Sequence, residues 1–229
     1  MTVLRYQNVS AAYSGFQALK DVSFEVREGE RVGIFGHNGA GKTTLLRCGI
    51  GDVAEVSGAV SWRGEPIVPG EVHRNARRGI GFVPQGHNVF RELSVEQNLT
   101  IAGLLHDRAR VPEVYALFPI LEERRAQRAG SLSGGQQQML ALGMALMTQP
   151  SILLLDEPCT GLAPIIVRDV LHSLRAINEK SRTTIVLVEQ NVHAALREVE
   201  RALVVKTGRV IFDGPSAELA AKEDLWEWF

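Results

Sequence analysis

The sequence predicts an α/β fold: a parallel core, an antiparallel β portion near its start, and a helical block inserted between the halves of the core. Three observations carry that expectation. Short apolar runs of strand length recur in the first and last thirds of the 229 residues. Segments with helical patterning alternate with them, as parallel α/β architecture requires. A glycine-rich loop at residues 36–43 joins one such strand to one such helix.

Taken in order, residues 4–9 and 22–26 alternate apolar and polar side chains, the period of half-buried antiparallel strands. Residues 31–35 form a strand that enters the glycine-rich loop, and residues 42–48 a helix that leaves it. Residues 59–62, between Gly58 and Gly64, and the run Gly81-Phe82-Val83 read as further strands. From about Ser94 to Thr148 the pattern is helical, with helices expected over 95–105, over 114–125 with an interruption at Pro119, and over 135–147. Residues 152–155 return to a buried strand, 167–177 to a helix, and 184–188 and 202–205 to strands. The division that follows is one domain: a core with its β portion at 1–85 and 149–229, and a helical part at 86–148.

Composition narrows the function. With 45% hydrophobic residues the chain can bury a sizeable core, and a formal net charge of -1 gives no basic footprint for nucleic acid. Cys48 and Cys159 match no metal-ligand spacing and read as reduced packing thiols of a cytosolic protein. Residues 1–10 lack a basic stretch followed by an apolar one, so no secretory signal is expected. The longest apolar runs fall far short of the roughly 20 residues a membrane helix needs. Any membrane role is therefore expected from the cytoplasmic face, through a partner.

The first chemical motif is Gly36-His37-Asn38-Gly39-Ala40-Gly41-Lys42-Thr43. Its glycines let the loop wrap phosphates with backbone N–H groups pointing inward, and the following helix adds partial positive charge. Lys42 is expected to reach the β and γ phosphates and Thr43 to offer a hydroxyl to Mg²⁺. His37 and Asn38 fill free positions of the pattern. The second motif, Ile152-Leu153-Leu154-Leu155-Asp156-Glu157, delivers two carboxylates to the carboxyl end of a buried strand, where open α/β sheets bind ligands. Asp156 is expected to hold Mg²⁺ and Glu157 to polarise the attacking water as general base. These two motifs leave kinase, GTPase, helicase and transporter ATPase open.

The third motif is Leu132-Ser133-Gly134-Gly135-Gln136, at a helix start shortly before the Asp-Glu strand. A Ser hydroxyl, flexible backbone N–H groups and a helix N-terminus together suit an anion. With this string the chain resembles, over essentially its whole length, the ABC ATPase family. The resemblance implies a P-loop core of ABC type with an antiparallel β subdomain and an inserted helical subdomain. It implies ATP hydrolysis with ATP and Mg²⁺ as cofactors. It also implies that residues 132–136 meet the γ-phosphate of ATP held by a second ATPase subunit, in a head-to-tail homo- or heterodimer.

By the same resemblance Tyr13 falls where an aromatic stacks on adenine, and Gln85 where a glutamine links Mg²⁺ to the helical block. Three positions depart from the family. Gln190 stands where most members carry a His that contacts the γ-phosphate; its amide can donate a hydrogen bond but cannot shuttle a proton. Ala163 replaces an Asp that crosses the dimer interface, and Met144 replaces an Arg. The nucleotide-binding set is thus Tyr13, Gly36, His37, Asn38, Gly39, Ala40, Gly41, Lys42, Thr43 and Thr44; the metal set is Thr43, Gln85 and Asp156; the catalytic set is Glu157, Gln190 and Gln85.

Leu117-Phe118-Pro119, Gln138-Met139-Leu140-Ala141, Gly161-Leu162-Ala163-Pro164 and Val188-Glu189-Gln190-Asn191 resemble branched-chain amino acid importers, and within them the shorter ATPase subunit. Urea and short-chain amide importers are near relatives, through Leu46-Arg47-Cys48 and Val60-Ser61-Trp62. Expected partners are transmembrane permeases and, indirectly, a periplasmic or extracellular solute-binding protein, with the chain peripheral on the inner face of the membrane. Permease contact is expected near Gln85 and residues 89–98, with Val89, Phe90 and Leu93 as apolar anchors. The rival classes are non-transport ABC ATPases, which carry long coiled-coil or zinc-hook insertions or paired cassettes, exporters fused to membrane helices, and degenerate regulatory modules. The compact single cassette and the presence of Lys42, Asp156 and Glu157 argue against them.

Overall fold

Alternating side chains at the start of the chain build a two-faced sheet. β1 (Thr2–Tyr13) and β2 (Phe16–Arg27) pair antiparallel, and Leu4, Tyr6, Val9, Val22 and Val26 point into the core. Both strands run well beyond residues 4–9 and 22–26. Asn8 and Asp21 sit at φ 49° and 51° beside shifts in the strand register. Such bulges break the apolar alternation without ending the pairing. The computed structural model describes residues 1–86, 88–104 and 110–222.

β3 (Arg31–Phe35) is buried on both faces, hence its continuous apolar run, and leads through the glycine-rich loop into α1 (Lys42–Ile50). β4 (Glu55–Trp62) and β5 (Glu65–Pro66) complete a four-stranded sheet in the order β2-β1-β4-β5. The Tyr6 ring stacks on Phe24 at 4.4 Å, and its hydroxyl donates to the Leu45 carbonyl at 2.8 Å, which ties α1 to this sheet. α2 (Val72–Arg77) precedes β6 (Ile80–Val83). The sequence pattern misses α2 because Asn75 is its one buried residue, so it shows no apolar stripe.

The next elements among the described residues are helices. α3 (Val95–Ala102) starts at a capping box formed by Ser94 and Gln97 and ends at Gly103; residue 105, where it was expected to end, lies outside the described residues. The expected helix 114–125 is two helices, α4 (Val111–Leu117) and α5 (Pro119–Glu123). Pro119 disfavours a helical backbone at Phe118, which sits at φ -130°, ψ 75°, and then serves as the first residue of α5. α6 (Gly134–Leu146) follows, capped by Ser133.

β7 (Ile152–Asp156), α7 (Pro164–Ser181), β8 (Thr184–Val188), α8 (Val192–Leu196), β9 (Arg201–Lys206), β10 (Arg209–Pro215) and α9 (Ser216–Ala220) finish the described chain. The second sheet runs β10-β9-β3-β8-β7-β6; only the β10–β9 pair is antiparallel. β10 was not anticipated: it alternates exposed and half-buried residues and carries Gly214 and Pro215 at its end.

This sheet separates two apolar cores. Phe35, Leu153, Leu155, Ile185 and Leu187 face the helices of the inserted block and α7. Ile34, Ile152, Leu154, Val186 and Val188 face α1 and the antiparallel sheet. Among the described residues no helix is long and apolar enough to cross a membrane.

Candidate functional site

The carboxyl ends of β3, β7 and β8 are adjacent because these strands are parallel neighbours. After β3 the chain must turn sharply into α1. Gly36 takes φ 145°, and a Cβ there would lie 2.1 Å from the Val205 carbonyl oxygen, so this position admits only glycine. Ala40 points into the apolar core, so this residue can offer a ligand only its backbone. Gly41 caps α1 with no side-chain hydrogen bond, which leaves the first-turn N–H groups unsealed. The buried Lys42 ammonium folds back to donate to the Gly36 and His37 carbonyls, at 2.8 and 3.0 Å. Burial lowers its pKa below the ordinary value, against the pull of Glu157 and Asp156.

β7 ends in Asp156, whose Oδ1 accepts the Thr43 hydroxyl at 3.0 Å. Burial raises the Asp156 pKa, with the Thr43 hydrogen bond opposing it. The next residue, Glu157, has a left-handed backbone at φ 47°, an uncommon conformation for a side-chain-bearing residue and one that clusters at functional sites. Its N–H donates to the Val188 carbonyl at 2.9 Å. Three donors converge on its Oε2: Gln190 Nε2 at 2.6 Å, Gln85 Nε2 at 3.0 Å and the Thr160 hydroxyl at 3.2 Å. The two glutamines singled out in the sequence thus meet on one carboxylate oxygen. Thr160 was not anticipated; its signal was its place three residues after Glu157.

Gly41, Lys42, Thr43, Gln85, Glu157 and Gln190 line a cleft of about 370 Å³ that also receives Tyr13, Asn38, Gly39 and Thr44, whereas Gly36, His37, Ala40 and Asp156 do not line it. Tyr13 is 40% exposed and lies opposite Phe16 in the strand register, a second exposed aromatic on the same hairpin. A larger cavity of about 760 Å³, flanked by Glu28, Arg63, Lys180 and Arg182, lies at the opposite ends of the strands and includes none of the predicted site residues.

Residues 132–136 do not line the cleft. Ser133 and Gln136 are instead engaged with each other's backbone as a capping box: Gln136 Oε1 accepts from Ser133 N at 3.1 Å, and Ser133 Oγ from Gln136 N at 3.4 Å. Leu132 is buried, and a Cβ on Gly135 would lie 2.3 Å from Ile166 Cγ2 of α7. Met144 packs half-buried against the helical core, which gives its apolar character a reason. Ala163 is the uncapped residue before α7. Of the expected anchors, Phe90 is exposed, whereas Val89 and Leu93 are half-buried, Val89 against the core. Asn98 fixes this turn from beneath by bonding both Phe90 backbone groups. Cys48 and Cys159 are buried; burial pushes the Cys48 thiol up to about 12 and Cys159 higher still.

A glycine-rich strand-to-helix loop, with an Asp-Glu pair closing the second strand over, defines a nucleotide-hydrolysing P-loop protein. Residues 19–160 match the ABC transporter family, to which the chain belongs as an ATP hydrolase energising transport. It is 43% identical over 221 residues to the high-affinity branched-chain amino acid transport ATP-binding protein BraG of Pseudomonas aeruginosa, covering 95% of this chain and 94% of that one. It is 35% identical to the probable branched-chain amino acid transport ATP-binding protein LivF of Archaeoglobus fulgidus, over 96% and 95% of the two chains. Identity is also 35% to the lipopolysaccharide export ATP-binding protein LptB of Escherichia coli, over 98% and 95%. Among solved structures, a dimeric ATP-binding cassette bound to ADP and phosphate superposes with a TM-score of 0.81 at 26% identity, over 93% of this chain and 98% of that one.

Proposed function

We propose that this chain hydrolyses ATP to drive import of branched-chain amino acids. The mechanism rests on one observation: the convergence of Gln85, Thr160 and Gln190 on Glu157, next to the Thr43–Asp156 pair. Glu157 is the general base. Its acceptor oxygen is oriented by three neutral donors, none of which takes its proton. Lys42 exchanges the loop carbonyls for phosphate oxygens when ATP enters, and the open N-terminus of α1 receives the same phosphates. Gln190 holds the attacking geometry through its amide. Tyr13 stacks on the adenine.

Thr43, Asp156 and Gln85 suit Mg²⁺. All three offer hard oxygen donors, Gln85 keeps its amide oxygen free of the Glu157 contact, and Asp156 is a buried carboxylate that a cation would stabilise. When bound, the ion neutralises charge on the phosphates. Residues 86–148 form a helical subdomain on the core made by 1–85 and 149–229. Its Ser133 and Gly135 complete the ATP site of a second cassette. Docking to a permease uses the surface around Phe90, on the inner face of the membrane.

Glu157→Gln should abolish multiple turnover, retain ATP binding and accumulate an ATP-bound dimer by size-exclusion chromatography; near-normal turnover would remove Glu157 from the base role. The substrate is tested with the chain assembled on its permeases in vesicles. Stimulation of ATP hydrolysis by leucine and its binding protein supports the reading, whereas stimulation by urea, a phosphonate or a lipopolysaccharide reassigns it. The support for branched-chain amino acids is the likeness to BraG and LivF, together with the strings around Ala163 and Gln190.

A further inference from the structure

Glu189 is 2% exposed, follows the last residue of β8 and does not itself line the cleft. A carboxylate buried so deeply is costly unless hydrogen bonds replace its water. It finds them entirely in two loops. Its Oε1 accepts from the Cys159 backbone N–H at 2.8 Å, in the loop after β7. Its Oε2 accepts from the backbone N–H groups of Gln190 at 3.1 Å and Asn191 at 3.4 Å, in the loop after β8. The two strands are parallel neighbours with Asp156 beside Val188, so one side chain spans the gap where their paths diverge.

What each loop carries makes that bridge consequential. The loop after β7 holds Glu157 in a left-handed conformation and turns back through the Thr160 N–H to the Glu157 carbonyl at 3.2 Å. Strained backbone of this kind persists only where the surroundings over-determine it. Cys159 lies within that turn. The loop after β8 begins with Gln190, whose amide reaches Glu157 Oε2 at 2.6 Å. We propose that Glu189 is a positioning residue for ATP hydrolysis: it fastens the two loops to each other and thereby sets the Glu157 carboxylate against the Gln190 amide. This rests on the reading of Glu157 as general base.

The test is steady-state hydrolysis of Mg-ATP by the full chain. Glu189→Gln keeps the side-chain shape but turns an NH₂ group toward backbone donors on one side. The variant should fold, keep its apparent KM for ATP within about twofold and lose roughly 10- to 100-fold in kcat. Combined with Gln190→Ala, it should lose less than the product of the two single losses, because the group it positions is gone. Glu189→Asp, which retains the charge but cannot span the gap, should show the same split in kcat and KM. An unchanged kcat in a folded variant overturns the proposal, as do strictly multiplicative losses or failure of both variants to fold, since Glu189 would then serve stability alone. Glu157→Gln run alongside separates the two readings. If it turns over ATP, the base assignment falls; if it is inactive while Glu189→Gln is fully active, only the positioning role falls.

Discussion

Two helices begin at glycine-containing turns suited to anions, and they are finished in opposite ways. α1 starts at Gly41 with no side-chain cap, so its N-terminal donors are open to whatever enters the cleft. α6 starts at Ser133, and its capping box already occupies the Ser133 hydroxyl and the Gln136 amide oxygen. An open helix end binds a phosphate without rearrangement, whereas a capped one must first release its own side chains. The contrast fits the proposed reading, in which the chain takes ATP at its own loop and offers the second turn to a partner's nucleotide.

Substitutions can break this contrast, most strongly at α1. Lys42→Ala removes the one cation folded into the loop, and ATP affinity should fall roughly hundredfold, the worth of charged hydrogen bonds of about 1.5–3 kcal/mol. Titration with a fluorescent ATP analogue reads it, and an unchanged affinity would dissociate the loop from phosphate binding. The glycines come next. Gly36→Ala forces a Cβ against the Val205 backbone at positive φ, whereas the clash at Gly135→Ala is with the Cγ2 methyl of the Ile166 side chain. Both should destabilise by about 1–3 kcal/mol, but only the second should be rescued, by Ile166→Ala, in denaturant melts.

Ser133→Ala should have the smallest effect on the isolated chain. Loss of the cap costs about 1 kcal/mol of stability, and ATP affinity of the single cassette stays as it was. Dimer formation by the Glu157→Gln background in Mg-ATP should nonetheless weaken. If Ser133→Ala lowers the affinity of the monomer for ATP, the two turns do not divide the work as their caps indicate.

Much of this was legible in the sequence where one physical cause dominates. Arg31–Phe35 and Thr184–Val188 are read to the residue because strands buried on both faces are continuously apolar. The glycine-rich loop and the Asp-Glu pair are read because their backbone and charge requirements leave few alternatives. Boundaries are lost where backbone geometry departs from period two, as at Asn8 and Asp21, or where a short polar helix such as α2 buries almost nothing. In the site, Gln85 and Gln190 stand out in the sequence, but their shared contact with Glu157 Oε2 is a tertiary fact. Glu189 gave no sequence signal beyond an acid after an apolar strand, since the loop it bridges to lies about thirty residues away.

The central sheet has a consequence for how the molecule comes apart. The inserted helices contribute Val95, Leu99, Val114, Leu121 and Leu140 to one apolar core only, while α1 and the antiparallel sheet contribute Tyr6, Leu45 and Trp62 to the other. Unpacking the helical side should therefore leave the second core and α1 largely intact, as two cooperative units of unequal independence would. Amide protons of β1 and α1 should outlast those of α3 to α5 in hydrogen exchange. The surface proposed to meet a permease would then belong to the unit that opens more easily, and the residues proposed to grip the phosphates to the unit that endures.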